Sequence, residues 1–338
     1  MTETNRQVRL RARPEGIPEA RHFEVAEEPL GPLAEGKIRV RNAYLSVDPA
    51  MRGWVSAVAN YSKPVGIGEV MRSFAAGEVV ESRHPDYAPG ERLVGMFGWQ
   101  RFADADGRDV VRRVREDDLP LSAQLGVLGL NGVTALLALT LVGEPKPGET
   151  VVVSTAAGAV GSAVGQIARI LGCRAVGIAG GPEKVRLCLD EFGYDAAFDY
   201  KAAGDLSAAV AGACPEGVGV YFDNTAGPVS DAVLPHLAVG ARVVVCGTAS
   251  VASWEPPPLG PRVERHLLVK RARMQGFVYF DHAARFEEAI GRLAGWLREG
   301  KLRHREDILD GIEQAPGAIA GLYRGENRGK RLIRVGPG

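Results

Sequence analysis

Residues 151–162, VVVSTAAGAVGS, constrain this chain more than any others: an apolar β-branched strand runs through Ala156-Ala157-Gly158-Ala159-Val160-Gly161 straight into a helix. The segment is AxGxxG, a variant of the dinucleotide-binding fingerprint. Gly158 lets a backbone approach a pyrophosphate, and Gly161 lets the helix lie close to the strand. The helix start offers unpaired amides and positive potential to an anion. A bare glycine triplet is weak, but this one follows the first of a series of strand and helix units.

Those units begin after Gly148. VVVST (151–155), RAVGIA (174–179), VGVYFD (218–223) and ARVVVC (241–246) are separated by helix-length segments, of which Val160–Leu171 and His282–Glu299 are clear. Alternating units of this kind predict an α/β domain with a parallel, doubly wound sheet. On the second helix, Phe286, Ile290, Leu293 and Leu297 form an apolar stripe that reads as core. Before about Leu121 the chain reads instead as short strands and turns, with IRVRNAYLSV and the turns Pro89-Gly90 and Asp106-Gly107, hence a small, mostly β domain. After about Lys301 it carries a short helical stretch and a final strand-like KRLIRV (330–335), with no further strand-helix pair of the central kind. This tail is expected to return to the first domain.

The balance of 41 Lys+Arg against 41 Asp+Glu gives no charge excess for a polyanion or an acidic membrane face, so nucleic acid and membrane are not expected partners. Leu119–Gly143 is free of charge, yet it contains Pro120, Gln124, Asn131 and several glycines and lacks anchoring residues at its ends. It reads as buried helices. Cys173, Cys188, Cys214 and Cys246 are far apart and form no CxxC, and the N-terminus shows no secretory pattern; a reducing, cytoplasmic setting is expected. No Cys/His/Glu group has ligand spacing, so neither a structural nor a catalytic metal is expected. A GxSxG elbow, a GK[ST] loop and HExxH are absent as well.

Cofactor choice is read at the end of the second strand, where NAD enzymes place an acid for the ribose. Here stand Ala179, Gly180 and Gly181, followed by Lys184 and Arg186 in a first helical turn. Cations there oppose the helix dipole, and a bound phosphate would offset that. Glu183 after Pro182 reads as a residue of the helix start. NADP, as NADPH, is the expected cofactor.

Several further segments carry a family resemblance: LSVDPAMRG (45–53), YSKPVGIGEVMR (61–72), HPDYAPGERLVG (84–95), AAGAVGSAVGQIA (156–168), GIAGGPEKV (177–185), YFDNTAG (221–227) and GENRGKRLI (325–333). With them, nearly the whole chain resembles the zinc-independent medium-chain dehydrogenases/reductases, in the branch of NADP-dependent alkenal, prostaglandin and curcumin reductases. The resemblance implies a GroES-like substrate domain at 1–123, to which 304–338 returns, a Rossmann NADP-binding domain at 124–303, and a homodimer formed through the Rossmann sheets. It implies that Ala159, Val160, Gly161 and Ser162, after Gly158, hold the pyrophosphate, that Lys184 and Tyr200 hold the 2′-phosphate end, and that Asn224 meets the ribose region. Cys246, Gly247, Thr248 and Ser250, with Phe277, Val278, Tyr279 and Asn327, would complete the cradle. Each has a plainer alternative: a solvated Lys184, a Tyr200 capping a core edge, asparagines that serve their turns.

Two positions depart from the family pattern. The usual tyrosine of the DPxMR motif is Ala50, and another substrate-end tyrosine corresponds to Val269. Tyr61 and Tyr279 are the remaining hydroxyl candidates, Tyr61 lying in a segment expected to face the nicotinamide, with the cofactor ribose hydroxyl as an alternative donor. Arg52 is a candidate for greeting an anionic substrate or for pairing with an acid. The reading is an NADPH-dependent reductase of the C=C bond of α,β-unsaturated ketones and aldehydes, acting on a small-molecule enone or alkenal. The alternatives are a zinc-free quinone reductase and a non-catalytic NADPH-binding protein.

Overall fold

The computed structural model describes residues 3–57, 62–251 and 258–336. Residues 1–126 with 306–338 form one unit, and residues 127–305 form the other.

In the first unit, β1 (Thr4–Leu10) pairs antiparallel with β2 (Phe23–Pro29). β3 (Ile38–Ser46) is the hub of the main sheet and is followed by a single helical turn, α1 (Met51–Trp54). β4 (Ala75–Ser82), β5 (Arg92–Gly95), β6 (Phe102–Ala105) and β7 (Val110–Arg113) then build antiparallel ladders, β4 and β6 both pairing with β3. Leu10, Ile38, Val40, Leu45 and Leu93 of these strands are fully buried, as is Trp99 between β5 and β6.

The second unit opens on α2 (Leu130–Ala138), which runs into a wide helical turn at Leu139–Gly143. The charge-free stretch is thus short helical segments, nearly all buried, and among the described residues no helix is long and apolar enough to cross a membrane. β8 (Thr150–Ser154), α3 (Ala159–Ile170), β9 (Arg174–Ala179), α4 (Pro182–Arg186), β10 (Ala196–Asp199) and α5 (Leu206–Ala213) form the first half of the wound sheet. β11 (Val218–Asp223), α6 (Gly227–Val233), β12 (Leu237–Val245), α7 (Glu264–Lys270) and β13 (Arg273–Gly276) form the second half, and α8 (Phe286–Arg298) follows. Among the described residues the sheet order is β10-β9-β8-β11-β12-β13, with every pairing parallel. That order, 3-2-1-4-5-6 in sequence terms, is the Rossmann topology, and its direction reverses between β8 and β11. Every residue of β8 and β11 is buried, which is why both read as unbroken apolar runs.

Two expectations are corrected. The last long helix starts at Phe286, because residues 279–285 form tight turns in which His282 leaves helical geometry. The tail also holds a strand-helix-strand unit: β14 (Glu306–Asp310), α9 (Ala315–Arg324) and β15 (Lys330–Arg334), with β14 and β15 parallel. β14, EDILD, is a partly exposed edge strand rich in charge, so it gives no apolar run to read. β15 pairs antiparallel with β3 and so joins the tail to the first sheet. Its Lys330 is buried, donating to Asp48 Oδ1 at 2.6 Å, Ser46 Oγ at 2.7 Å and the Val47 carbonyl at 3.1 Å.

Candidate functional site

The strand-to-helix turn after β8 is held open by its glycines. Thr155 takes a left-handed backbone (φ +54°), the Gly158 amide donates to the Thr155 carbonyl at 2.9 Å, and α3 begins at Ala159. A Cβ on Gly161 would lie 2.3 Å from the Thr155 oxygen, so only glycine lets the helix approach this closely. Beneath it, the buried Tyr194 hydroxyl donates to the Gly161 carbonyl at 2.6 Å, and its ring fills the space a Gly165 side chain would need. Burial pushes this phenol well above its ordinary range. Ala159, Val160 and Gly161 occupy the first turn of α3, whose amides have no intrahelical acceptor, and that turn contains no acid. Ser162 closes the first intrahelical bond onto Gly158.

At the end of β9, Gly181 has φ +100° and its amide donates to Asp199 Oδ1 at 2.8 Å, an oxygen that also accepts from the Lys201 amide at 2.9 Å. One Asp199 oxygen is therefore engaged by backbone at this turn. The half-exposed Tyr200 lies over Gly180, where a Cβ would meet its ring at 2.9 Å, and Lys201 Nζ stands 6.0 Å from the ring centroid. Lys184, half-buried, is the third residue of α4, which packs against β10. The structure thus brings the Gly180-Gly181 turn, Tyr200 and Lys201 together, and sets α4 beside them.

The ends of β11 and β12 are laced into one platform. The Asn224 amide donates to Ser154 Oγ at 2.8 Å and its side-chain amide to the Ser154 carbonyl at 2.7 Å. The Cys246 and Gly247 amides donate to the Asp223 carbonyl at 2.8 and 3.1 Å. Ser250 Oγ donates to the Thr225 and Ala226 carbonyls at 2.7 and 2.9 Å, and Thr248 accepts from Val251 at 3.0 Å. Burial, helped by Asp223, pushes the Cys246 thiol up to about 12, so it stays neutral. Phe277 stacks on His282 at 4.6 Å, Tyr279 stacks on Phe286 at 4.1 Å, and Val278 between them is half-buried. Ser154, Tyr194, Asp199 and Asp223 were not legible as site residues: each is a lone polar side chain at the end of an apolar strand or beside a turn.

The other candidates lie in the first unit. Tyr61 lies outside the described residues. Arg52, on α1, places its guanidinium 5.4 Å from the Tyr323 ring centroid, and Tyr323 in turn donates to the Pro49 carbonyl at 3.1 Å. Asn327 donates to the Gly329 carbonyl at 2.8 Å. Ala50 precedes α1, and Val269 is more than half exposed on α7. Among the described residues no three His, Cys, Asp or Glu side chains are grouped to hold a metal ion.

Comparison with known proteins places this geometry. Residues 6–112 match the family model described as the N-terminal domain of oxidoreductase, and residues 159–295 match that of the zinc-binding dehydrogenases. The chain is 42% identical to the NADPH-dependent curcumin reductase of Escherichia coli, over 98% of this chain and 97% of that protein. It is 36% identical to the NADP(+)-dependent 2-alkenal reductase of Nicotiana tabacum, over 98% of both. The crystal structure of CurA from Vibrio vulnificus in complex with NADPH superposes with a TM-score of 0.91 at 39% identity, covering 98% of this chain and all of the other.

Proposed function

We propose that this chain, which belongs to the alkenal, prostaglandin and curcumin reductase branch of the medium-chain dehydrogenase/reductase family, uses NADPH to reduce the C=C bond of α,β-unsaturated ketones and aldehydes. The observation that carries the reading is the cradle along the carboxyl ends of β8, β9, β11 and β12. At its β9 turn one Asp199 oxygen is engaged by the Gly181 and Lys201 amides, and Tyr200 and Lys201 stand beside it.

NADPH fits these residues. The Gly158–Ser162 turn would take the pyrophosphate on the first amides of α3, Lys184 and Tyr200 the 2′-phosphate, and Asn224 the ribose region. The platform of Cys246, Gly247, Thr248 and Ser250, with Phe277, Val278 and Tyr279, would flank the remaining half, and Asn327 would complete the set. When bound, the cofactor supplies the hydride that reaches the β carbon, and a proton from solvent completes the α carbon. The protein's own task is to orient the enone, exclude water and donate a hydrogen bond to the developing enolate oxygen. Tyr61 is assigned that donation, since Ala50 and Val269 carry no hydroxyl and the Tyr279 ring is stacked on Phe286. Arg52 is assigned to the carbonyl end of the substrate.

The test is NADPH consumption with panels of enones, alkenals and quinones, with the product identified. A saturated carbonyl compound is the expected product; an allylic alcohol, or turnover of quinones alone, would reject the assignment. Tyr61→Phe should lower kcat by roughly tenfold to a thousandfold with NADPH affinity nearly unchanged.

A further inference from the structure

Asp223 is a buried carboxylate with no counter-ion among the described residues. It ends β11 at the reversal point of the sheet and is 3% exposed. Its carboxylate accepts from the hydroxyls of Ser154 (3.3 Å), Tyr221 (3.1 Å), Thr225 (3.4 Å) and Ser230 (2.5 Å), and from the amides of Thr225 (2.9 Å) and Ala226 (2.8 Å). All six donors are neutral, and among the described residues no Lys, Arg or His forms an ion pair with it. These donors satisfy the carboxylate's hydrogen-bonding capacity and bring no compensating charge. A buried charge is ordinarily paired, because desolvation makes an unpaired one costly. Its field reaches its neighbours, for it adds to the effect of burial in raising the Cys246 thiol and the Asp231 carboxyl.

The location gives this charge a use. In a sheet of this order the second nucleotide of a dinucleotide lies on the half built from β11, β12 and β13. Asp223 is the residue before Asn224, and its own carbonyl holds the Cys246 and Gly247 amides. The nicotinamide ring is neutral in NADPH and carries one positive charge in NADP+.

We propose that Asp223 is a fixed buried anion that holds the oxidised, cationic cofactor more tightly than the reduced one, and so strengthens bound NADPH as a hydride donor. The inference rests on the reading of this cradle as an NADPH site. A ligand that binds one state of a couple better displaces that couple by its differential affinity, so the effect is visible in binding alone, without turnover.

The experiment is fluorescence or calorimetric titration of the full chain with NADP+ and with NADPH, in the absence of substrate. Asp223→Asn removes the charge at nearly constant size and should raise the ratio Kd(NADP+)/Kd(NADPH) by roughly three- to thirtyfold. Ser230→Ala removes one donor and keeps the charge, and should shift both constants by a common factor. If Asp223→Asn does not fold, Asp223→Ser is the second charge-removing variant, with the same expected change of ratio. An unchanged ratio in a folded charge-removing variant, or an equal change in Ser230→Ala, overturns the inference while leaving the site intact. A wild-type chain that binds neither cofactor form overturns the site itself.

Discussion

Gly161→Ala tests whether the close approach of α3 to β8 is what makes the nucleotide cradle. The new Cβ would lie 2.3 Å from the Thr155 carbonyl oxygen and 2.9 Å from Ala156 Cα, both backbone atoms, whereas ordinary contact begins at 3.4 Å. The start of the helix must therefore retreat by about 1 Å, since no flexible side chain is there to give way. The retreat also strains the 2.6 Å bond from Tyr194 to the Gly161 carbonyl. Overpacking of this kind costs roughly 1–3 kcal/mol, and a lost buried hydrogen bond adds about 1 kcal/mol. For a unit of this size each kcal/mol lowers Tm by about 2–4 °C, so a loss of about 5–15 °C is expected. The same shift moves the amides assigned to the pyrophosphate, and NADPH affinity should fall at least about tenfold. Gly158→Ala is the internal control: its Cβ would meet Thr155 at 3.0–3.1 Å, which a few tenths of an ångström relieves, so both losses should be clearly smaller. Thermal melts and NADPH titration of the two variants decide the matter. A Gly161→Ala protein with wild-type Tm and wild-type NADPH affinity would refute the packing argument.

Lys184→Ala should lower kcat/KM with NADPH by about ten- to a hundredfold through loss of a charge-assisted phosphate contact, and leave NADH use unchanged; equal losses with both cofactors would remove Lys184 from the 2′-phosphate. Lys330→Met strands the buried Asp48 carboxylate and should cost about 3–5 kcal/mol in a denaturant titration. Lys330→Met combined with Asp48→Leu should recover much of that cost, and a double variant no better than the single would count against a buried ion pair. Burial pushes Cys188 and Cys246 up to about 12 and Cys214 up to about 11, and raises Cys173 as well. Native protein at pH 8 should then react with a thiol reagent far more slowly than unfolded protein, which should titrate all four cysteines. Because these thiols are raised on folding, their contribution to stability is complete below the unfolded thiol value of about 8.5 and declines as pH rises through the folded values. Rapid labelling of folded protein would contradict this.

The sequence was most readable where burial was complete. β8, β9 and β11 are each buried at nearly every position, so their side chains are apolar on both faces and the runs stand out without alternation. β10, β13 and β14 are edge strands, half or fully exposed, and their sequences AAFD, RMQG and EDILD carry no such signal. They are strands because a neighbour offers them a ladder, which is a tertiary cause. The turn chemistry was legible for a different reason: at Gly161 and Gly181 the backbone itself excludes a side chain, and glycine records that directly.

The polar supports of the cradle were not legible, and the contrast between Asp199 and Asp223 shows why. Both are acids at the carboxyl ends of parallel strands, three strands apart in the sheet, and nothing in FDY or FDN separates them. Asp199 ends an edge strand, is partly exposed, and has one oxygen engaged by the Gly181 and Lys201 amides. Its charge is screened by water, and its work is to fix the turn at which a 2′-phosphate is expected. Asp223 ends a central strand, is out of water, and is surrounded by neutral donors. There the same carboxylate acts as an electrostatic element, because a low-dielectric surrounding transmits its charge instead of dissipating it. Whether an acid at a strand end serves as a turn brace or as a fixed charge is decided by which strand it ends, and that is a property of the assembled sheet.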